Sequence, residues 1–504
     1  AKLSLSYKPV KGLDITANFT PTFNFVKTKS LSKAVPVYDA YDTDVTIGYV
    51  SGYNSNSLSE IRSDSKTFES QVIATYDHTF AKKHNFNVMA GYEEYSYTYE
   101  KLTAGSNEMD LANFPYLDLA NENSLTVGGN SYQNAYRSFF GRIMYNYDNR
   151  YYLQLNARGD ASSRFHKDYR WGFFPSASLG WVISNEKFMS NVSWLDHLKV
   201  RASIGSLGNE RIGNYPYQTY ITFNKALLYD STGSSPVSTM TGAQQDYAYK
   251  DIHWEKTWSW DAGIDASFLG NRLDLTADYY YKKTTDMLLA VAIPSFTGYS
   301  APDRNAGTMN TKGWEIKLGW NDSVGDFYYG ISVNLSDYRS VMGNLGGKQV
   351  FNSNGTIITE GEEYCSWYGY RANGLFQNNE EVASSPLLVA STKPGDVKYV
   401  DVSGPDGTPD GIINDTYDRV VLGSSLPHYI YGGSINLGWK GISFSMLFNG
   451  VGHQMSNLTE DMIRPFQGQW LSAPSVIRNS DGSRNYWSRY NTEEQNLKVR
   501  YPRL

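Results

Sequence analysis

The stretch YGGSINLGWKGISFSMLFN, Tyr431–Asn449, decides the fold. Ile435, Leu437 and Trp439 alternate with Ser434, Asn436 and Gly438, and a Lys440-Gly441 turn follows. Ile442, Phe444, Met446 and Phe448 then alternate with Ser443, Ser445 and Asn449, and only Leu447 breaks the pattern. A period of two puts the large apolar side chains on one sheet face and the small polar ones on the other. A two-residue connection ending in Gly closes such a pair as a hairpin.

The same unit recurs along the chain. Hairpins are expected over 2–8 with 13–20, 68–78 with 84–98, and 137–147 with 151–160. Others are expected over 174–183 with 197–205, 257–268 with 272–282, and 313–321 with 327–336. With the opening pair this makes about fourteen strands. The connections alternate short and long, the long ones being the polar stretches 28–62, 99–134, 206–255, 337–427 and 451–504. The segment 184–196 is the exception, standing where a short turn is expected. A soluble sandwich has no need of that asymmetry. A transmembrane barrel does, with short turns on one side and long loops on the other.

Composition agrees. Aromatic residues make up 15% of the chain, including 41 Tyr and 12 Trp, which favour apolar–water boundaries. No run of about 18 apolar residues offers a transmembrane helix, a test that strands do not have to pass. A net charge of −6 argues against a general nucleic-acid partner. The lone Cys365 excludes an intrachain disulfide framework and a Cys-based zinc cluster. The fold class is therefore all-β: an antiparallel transmembrane β-barrel with long extracellular loops. The alternative is a secreted all-β protein with large binding loops.

Several stretches go beyond pattern: RGDASSRFHKDYRWGFFPSASLGWVISNEKFM (Arg158–Met189), LKVRASIGSLGN (Leu198–Asn209) and WEKTWSWDAGIDASFLGNRLDLTADYYYKKTTDMLL (Trp254–Leu289). NAGTMNTKGWEIKLGW (Asn305–Trp320), NGLFQNNEE (Asn373–Glu381) and PGDVKYVDVSGPDGTPDGIINDTYDRVVLGSSLP (Pro394–Pro427) continue the series in order. Together they resemble the SusC/RagA family of TonB-dependent outer-membrane transporters. The resemblance implies a barrel of about 22 strands, of which residues 1–504 would be a part, the plug and closing strands lying outside. The chain opens inside a strand-like pattern (Leu3, Leu5, Tyr7), so an upstream segment is expected.

The resemblance further implies active import of oligosaccharides or peptides, energised by the TonB complex acting through the plug. A SusD-like surface lipoprotein would cap the outer mouth. A TonB-dependent siderophore or cobalamin receptor without such a lid is the alternative, and a passive porin and a surface glycosidase are further rivals. No enzymatic activity is expected, since no G-x-S-x-G elbow or paired-carboxylate signature stands out.

The candidate contacts for substrate or partner are loop aromatics: Tyr215, Tyr217, Tyr247, Trp254, Trp367, Tyr368, Tyr370, Trp470 and Trp487. Aromatic faces pack on sugar rings and on apolar peptide side chains, and as readily hold loops together. Inward polar residues Arg158, Arg201, Asp261, Asp265 and Glu315 are expected to line the lumen or touch the plug, the competing reading being internal ion pairs that only stabilise the barrel. Asp406, Thr408, Asp410, Gly411 and Ile413 approximate calcium-loop spacing, with Asp415 a further acid. Tyr417 stands where the bidentate acid belongs and Asp418 falls one place late, so an Asx-rich turn is the competing reading. No cofactor other than this calcium is expected. The seven His show no ligand spacing, and the tripeptide Arg158-Gly159-Asp160 lies inside a family motif.

Overall fold

A computed structural model describes residues 1–111, 113–229, 233, 236–244, 247–290, 295–300, 302–457, 479 and 483–503. Its long strands are β1 (Leu3–Val10), β2 (Leu13–Ser32), β3 (Ser57–Phe80), β4 (His84–Ser106), β5 (Leu125–Tyr147), β6 (Tyr151–Ser162) and β7 (Trp171–Val182). They continue as β8 (Leu195–Asn209), β9 (Glu255–Phe268), β10 (Leu273–Thr285), β11 (Thr308–Val324), β12 (Phe327–Met342), β13 (His428–Trp439) and β14 (Ile442–His453). These fourteen form one sheet in chain order, antiparallel throughout. Among the described residues, no helix is long and apolar enough to cross a membrane.

The described residues gather in two units. The first comprises Ala1–Asp265 and Thr284–Ala306, the second Ala266–Lys283 and Gly307–Leu504.

In the first unit the apolar residues of alternate positions are exposed. Leu5 (72%), Leu179 (60%) and Phe173 (61%) would be costly on a protein surrounded by water. They lie in a band edged by aromatic rings. On the short-turn side, neighbouring rings run from Tyr76, His78 and Phe80 through Phe86, Tyr145 and Tyr147 to Tyr151 and Trp181. On the other side Phe139 meets Tyr92 at 5.2 Å, tilted, and stacks on Trp171 at 6.1 Å. From Tyr151 to Ala161, the partner of Trp171, a strand rising ~3.4 Å per residue and tilted ~45° climbs about 24 Å. That is the height of a bilayer's apolar layer.

The turns follow from backbone sterics. Asp148 and Asn149 (φ 52° and 53°) join β5 to β6 with the two left-handed residues of a type I′ turn. The expected exception, 184–196, is two short 3-10 turns, Ile183–Asn185 and Lys187–Met189. Glu186 between them accepts from Tyr151 Oη (2.6 Å), Trp181 Nε1 (3.1 Å) and Arg150 (3.0 Å), so the segment is folded back on the sheet.

Two expected loops are largely strand. The pair β2–β3 continues to Ser32 opposite Ser57, and β4–β5 to Ser106 opposite Leu125. The connections there are only 33–56, which holds a small hairpin (Pro36–Tyr38 with Thr46–Tyr49), and 107–124. Past the apolar band both sheet faces are wet, so alternation fades while backbone pairing persists. The stretch 206–255 likewise holds a hairpin, Thr222–Tyr229 with Pro236–Ala243.

In the second unit, Lys440 (φ 43°) and Gly441 (φ 86°) close the β13–β14 hairpin, with Trp439 opposite Ile442 and Leu437 opposite Phe444. Leu447 pairs with Ser434 on the polar face. Ile331, Val333, Leu335, Phe444 and Met446 are exposed on the apolar one. The connection 343–427 is folded: a four-stranded sheet (Val350–Phe351, Thr356–Ile358, Ser366–Tyr370, Arg419–Ser424), a small hairpin (Ala372–Leu375, Val397–Tyr399) and a one-turn helix, Asn379–Ala383. Leu345, Ile357, Ile358, Phe376 and Ile413 are its buried apolar residues.

Candidate functional site

Beyond the apolar band of the first unit, the polar face of β3–β6 is built of cross-strand rows. Glu69 stands opposite Tyr95, Tyr95 opposite Tyr136, and Tyr136 opposite Ser162. One step outward come Thr67, Tyr97 and Asn134, then Ser65, Tyr99 and Tyr132. The rings meet across strands: Tyr95 and Tyr136 stack at 4.6 Å and 12°, Tyr97 and Tyr132 lie 5.9 Å apart, and Tyr99 and Tyr132 5.0 Å.

Segment 210–214, leaving β8, completes a groove over this wall. Ile212 anchors it in a buried cluster with Phe165, Phe174, Ile252 and Trp254. The Arg164 guanidinium donates to the Ile212 carbonyl and sits 3.8 Å from Glu210 Oε1. Tyr215, left-handed at φ 56°, donates its hydroxyl to the Gln133 carbonyl on β5. The result is a groove of about 580 Å3 lined by Tyr95, Tyr97, Tyr132, Tyr136, Glu210 and Asn214, among others. Burial pushes the Glu210 carboxyl up from the ordinary Glu range. Glu210 Oε2 and Asn214 Oδ1 are buried with no hydrogen-bond partner. Buried acceptors are nearly always paired, so two on one groove call for a donor from elsewhere.

Below this wall the polar face is cross-linked by ions. Arg158 donates to Asp160 (2.7 Å) and Ser138 (2.8 Å) and lies 3.7 Å from Glu93. Arg201 grips Asp265 through two bonds (3.0 and 3.4 Å) and stands 3.7 Å from Asp261. Both arginines thus form internal ion pairs, the competing reading of these residues. Glu315 faces Ser336 on the polar side of β11–β12.

The predicted aromatics fall into separate places. Trp254 is a core residue: 7% exposed, packed 5.4 Å from both Phe165 and Phe174, its Nε1 donating to the Arg170 carbonyl. Tyr215 and Tyr217 meet edge-on beside the groove, Tyr217 also against His166. Tyr247 contacts Tyr249 and Tyr299. In the second unit Trp367 donates to the Met455 carbonyl, Tyr368 packs between Phe351 and Arg419, and Tyr370 meets Tyr399. Trp487 faces Gly395, where an added Cβ would overlap its ring. Trp470 lies outside the described residues. Sequence reasoning missed Tyr95, Tyr97, Tyr99, Tyr132, Tyr136, Glu210 and Asn214. The alternation Tyr95-x-Tyr97-x-Tyr99 was the available signal.

In the Asp-Gly segment the carboxylates serve backbone. Asp401 Oδ2 accepts from Gly411 N (2.6 Å) and Asp410 Oδ1 from Ile412 N (2.9 Å), while Asp406 and Asp415 are exposed. Among the described residues, no group of three or more His, Cys, Asp or Glu side chains is placed to hold a metal ion.

Residues 3–420 match the family model described as TonB dependent receptor-like, beta-barrel. TonB-dependent receptor P26 of Formosa agariphila is 36% identical over 352 residues, covering 67% of this chain and 33% of that protein. TonB-dependent receptor SusC of Bacteroides thetaiotaomicron is 30% identical over 322 residues, covering 62% of this chain and 31% of that one. Among solved structures the RagAB peptide transporter matches with a TM-score of 0.77 at 22% identity, over 99% of this chain and 51% of that one. The chain thus spans about a third of these curated relatives and half of the solved chain.

Proposed function

The chain belongs to the TonB-dependent receptor-like β-barrel family of the bacterial outer membrane, and from that premise we propose that it is the barrel of an active importer of the SusC/RagA kind. The whole protein takes up oligosaccharides or peptides, is energised through TonB acting on a plug domain, and works with a SusD-like surface lipoprotein over the outer mouth. The observation that carries this reading is the two-faced sheet. Its apolar face is a girdled band of bilayer height, and its polar face continues past that band into a tyrosine-lined groove. Such a sheet separates lipid from a wet interior, and recognition groups stand where a solute enters. The work is binding and gated passage, with no bond broken in the substrate.

The test is to tag the full-length protein in its native outer membrane, purify it in mild detergent and identify co-purifying proteins by mass spectrometry. A stoichiometric surface lipoprotein is expected, together with substrate uptake that stops when TonB is deleted. An intact complex with no lipoprotein would replace this reading with a lid-less receptor for a small chelate.

A further inference from the structure

The groove over β4–β5 has a chemistry narrower than "oligosaccharide or peptide". We propose that it is a subsite for an organic cation, an ammonium or guanidinium group carried by the imported molecule. The proposal rests on the import reading and deepens it.

Four observations point the same way. First, the groove's unused polar atoms are acceptors: Glu210 Oε2 and Asn214 Oδ1. A ligand that satisfies them must donate. Second, the cross-strand row that gives the groove Tyr95 and Tyr136 ends at Glu69 on one side, just outside the groove's lining, and at Ser162 on the other, while Glu210 lines the groove itself. With strands ~4.8 Å apart, Glu69 and Ser162 are about 14 Å from each other. The Glu69 carboxylate makes no hydrogen bond or ion pair among the described residues.

Third, the two arginines that reach the wall are committed. Arg164 holds the Ile212 carbonyl and faces Glu210 Oε1, and Arg158 is shared by Asp160, Ser138 and Glu93. Four carboxylates (Glu69, Glu93, Asp160, Glu210) thus stand against these two guanidinium groups on the wall and around it. The tyrosine hydroxyls and the Asn134 amide also offer donors there, so the preference for a cation rests on the orphan acceptors and on this excess of carboxylates. Fourth, four tyrosine rings line the groove, and their electron-rich faces attract cations. Its volume of about 580 Å3 is within the ~300–1,000 Å3 usual for pockets that hold small ligands. Burial disfavours the Glu210 carboxylate when the groove is empty, and an arriving cation restores it.

The group can come from a lysine or arginine side chain of a peptide or from an amino sugar, and two probe pairs separate these sources. Full-length protein in detergent, with any co-purifying lipoprotein, is titrated calorimetrically. The probes are a Lys-Gly repeat hexapeptide against its Nε-acetylated form, and a glucosamine hexamer against its N-acetylated form. The charged member of at least one pair should bind about tenfold tighter than its acetylated twin, and the responding pair identifies the source. In a Glu69→Gln, Glu210→Gln double variant that still folds by heat-shifted gel mobility, the preference should fall to about twofold or less.

Equal binding within both pairs, no binding of any probe, or a preference that survives the double variant would overturn the subsite. The import reading fails separately. A protein with the charge preference but no TonB-dependent uptake keeps the subsite and loses the importer, and an importer without the preference does the reverse.

Discussion

Asp418 Oδ1 accepts the backbone N–H of Val402 at 2.8 Å, tying the two ends of the Asp-Gly segment together. The same oxygen takes the Ser403 N–H at 3.3 Å, and Oδ2 takes that of Asn414 at 2.8 Å. Asp418 is fully buried. Burial alone would push its carboxyl up, yet the three backbone donors outweigh it and hold the group below the ordinary Asp range. A carboxyl depressed in the folded state stabilises at pH values above its unfolded value of about 3.9, and that contribution disappears as pH falls through the folded value. The segment should therefore keep this tie across the neutral range and lose it only in strong acid. Asp418→Asn leaves an amide NH2 facing backbone donors and should cost about 2 kcal/mol locally. Limited proteolysis of the full-length protein should cut 400–418 several-fold faster in the variant at pH 7. Equal rates would refute the tie.

A second attachment of the same connection is ionic. His428 Nδ1 lies 2.8 Å from Asp337 Oδ1 on β12, and Nε2 lies 3.1 Å from Glu363 Oε2 in the connection that follows. Carboxylates only accept, so both ring nitrogens donate and the imidazole carries both protons. His428→Phe leaves two carboxylates without their shared cation. Losing one partner of a buried pair costs about 3–5 kcal/mol, and Arg339, 3.8 Å from Glu363, keeps this case at the low end. Amide exchange reads it out directly. The N–H groups of Gly361 and Tyr364, which donate to the Met342 and Ser340 carbonyls, should exchange at least tenfold faster in the variant.

These two attachments mark the limit of what the sequence could disclose. Alternation in Ile435-x-Leu437-x-Trp439 reports a side chain's neighbours, and lipid is a uniform neighbour. The spanning strands and the hairpin turns were therefore legible to within a few residues. Past the band the outward face of β4 reads Glu94, Ser96 and Thr98, and the inward face reads Tyr95, Tyr97 and Tyr99. There apolar-versus-polar contrast inverts, so strand continued where loop was expected. The groove needed β4, β5 and the turn after β8 brought together, and no local pattern encodes that register. Trp254 shows the converse: an aromatic in a loop, as noticeable as any ligand contact, is core because Phe165 and Phe174 close over it.

That closure depends on two glycines. The Phe174 ring lies where a Cβ on Gly172 or on Gly208 would stand. Gly208→Val should drive the ring from its site and loosen Ile212, which anchors segment 210–214. Overpacking of this kind costs about 1–3 kcal/mol. Calorimetry should show a lowered unfolding temperature. Gly213→Ala, a control with open space at its Cβ, should leave that temperature unchanged.

The assignment of the two sheet faces is itself open to a paired test on β7. Leu179 (60% exposed) and Ser178 are adjacent and point to opposite faces. On a protein surrounded by water, an exposed Leu→Arg change usually stays within about 0.5 kcal/mol. On the lipid face of a barrel, Arg costs about 2–4 kcal/mol at the bilayer midplane and less toward either edge, and Leu179, one outward position from Trp181, lies between the two, whereas the interior tolerates the change. Leu179→Arg should therefore reduce the folded, heat-shifted fraction recovered from outer membranes. Ser178→Arg, beside Gln154 and Ser203, should leave it near the parent level. Because both variants add the same side chain one residue apart, a difference in that direction reports orientation alone. Equal recovery of the two, or the reverse order, would mean that the band flanked by Trp171 and Trp181 does not face lipid.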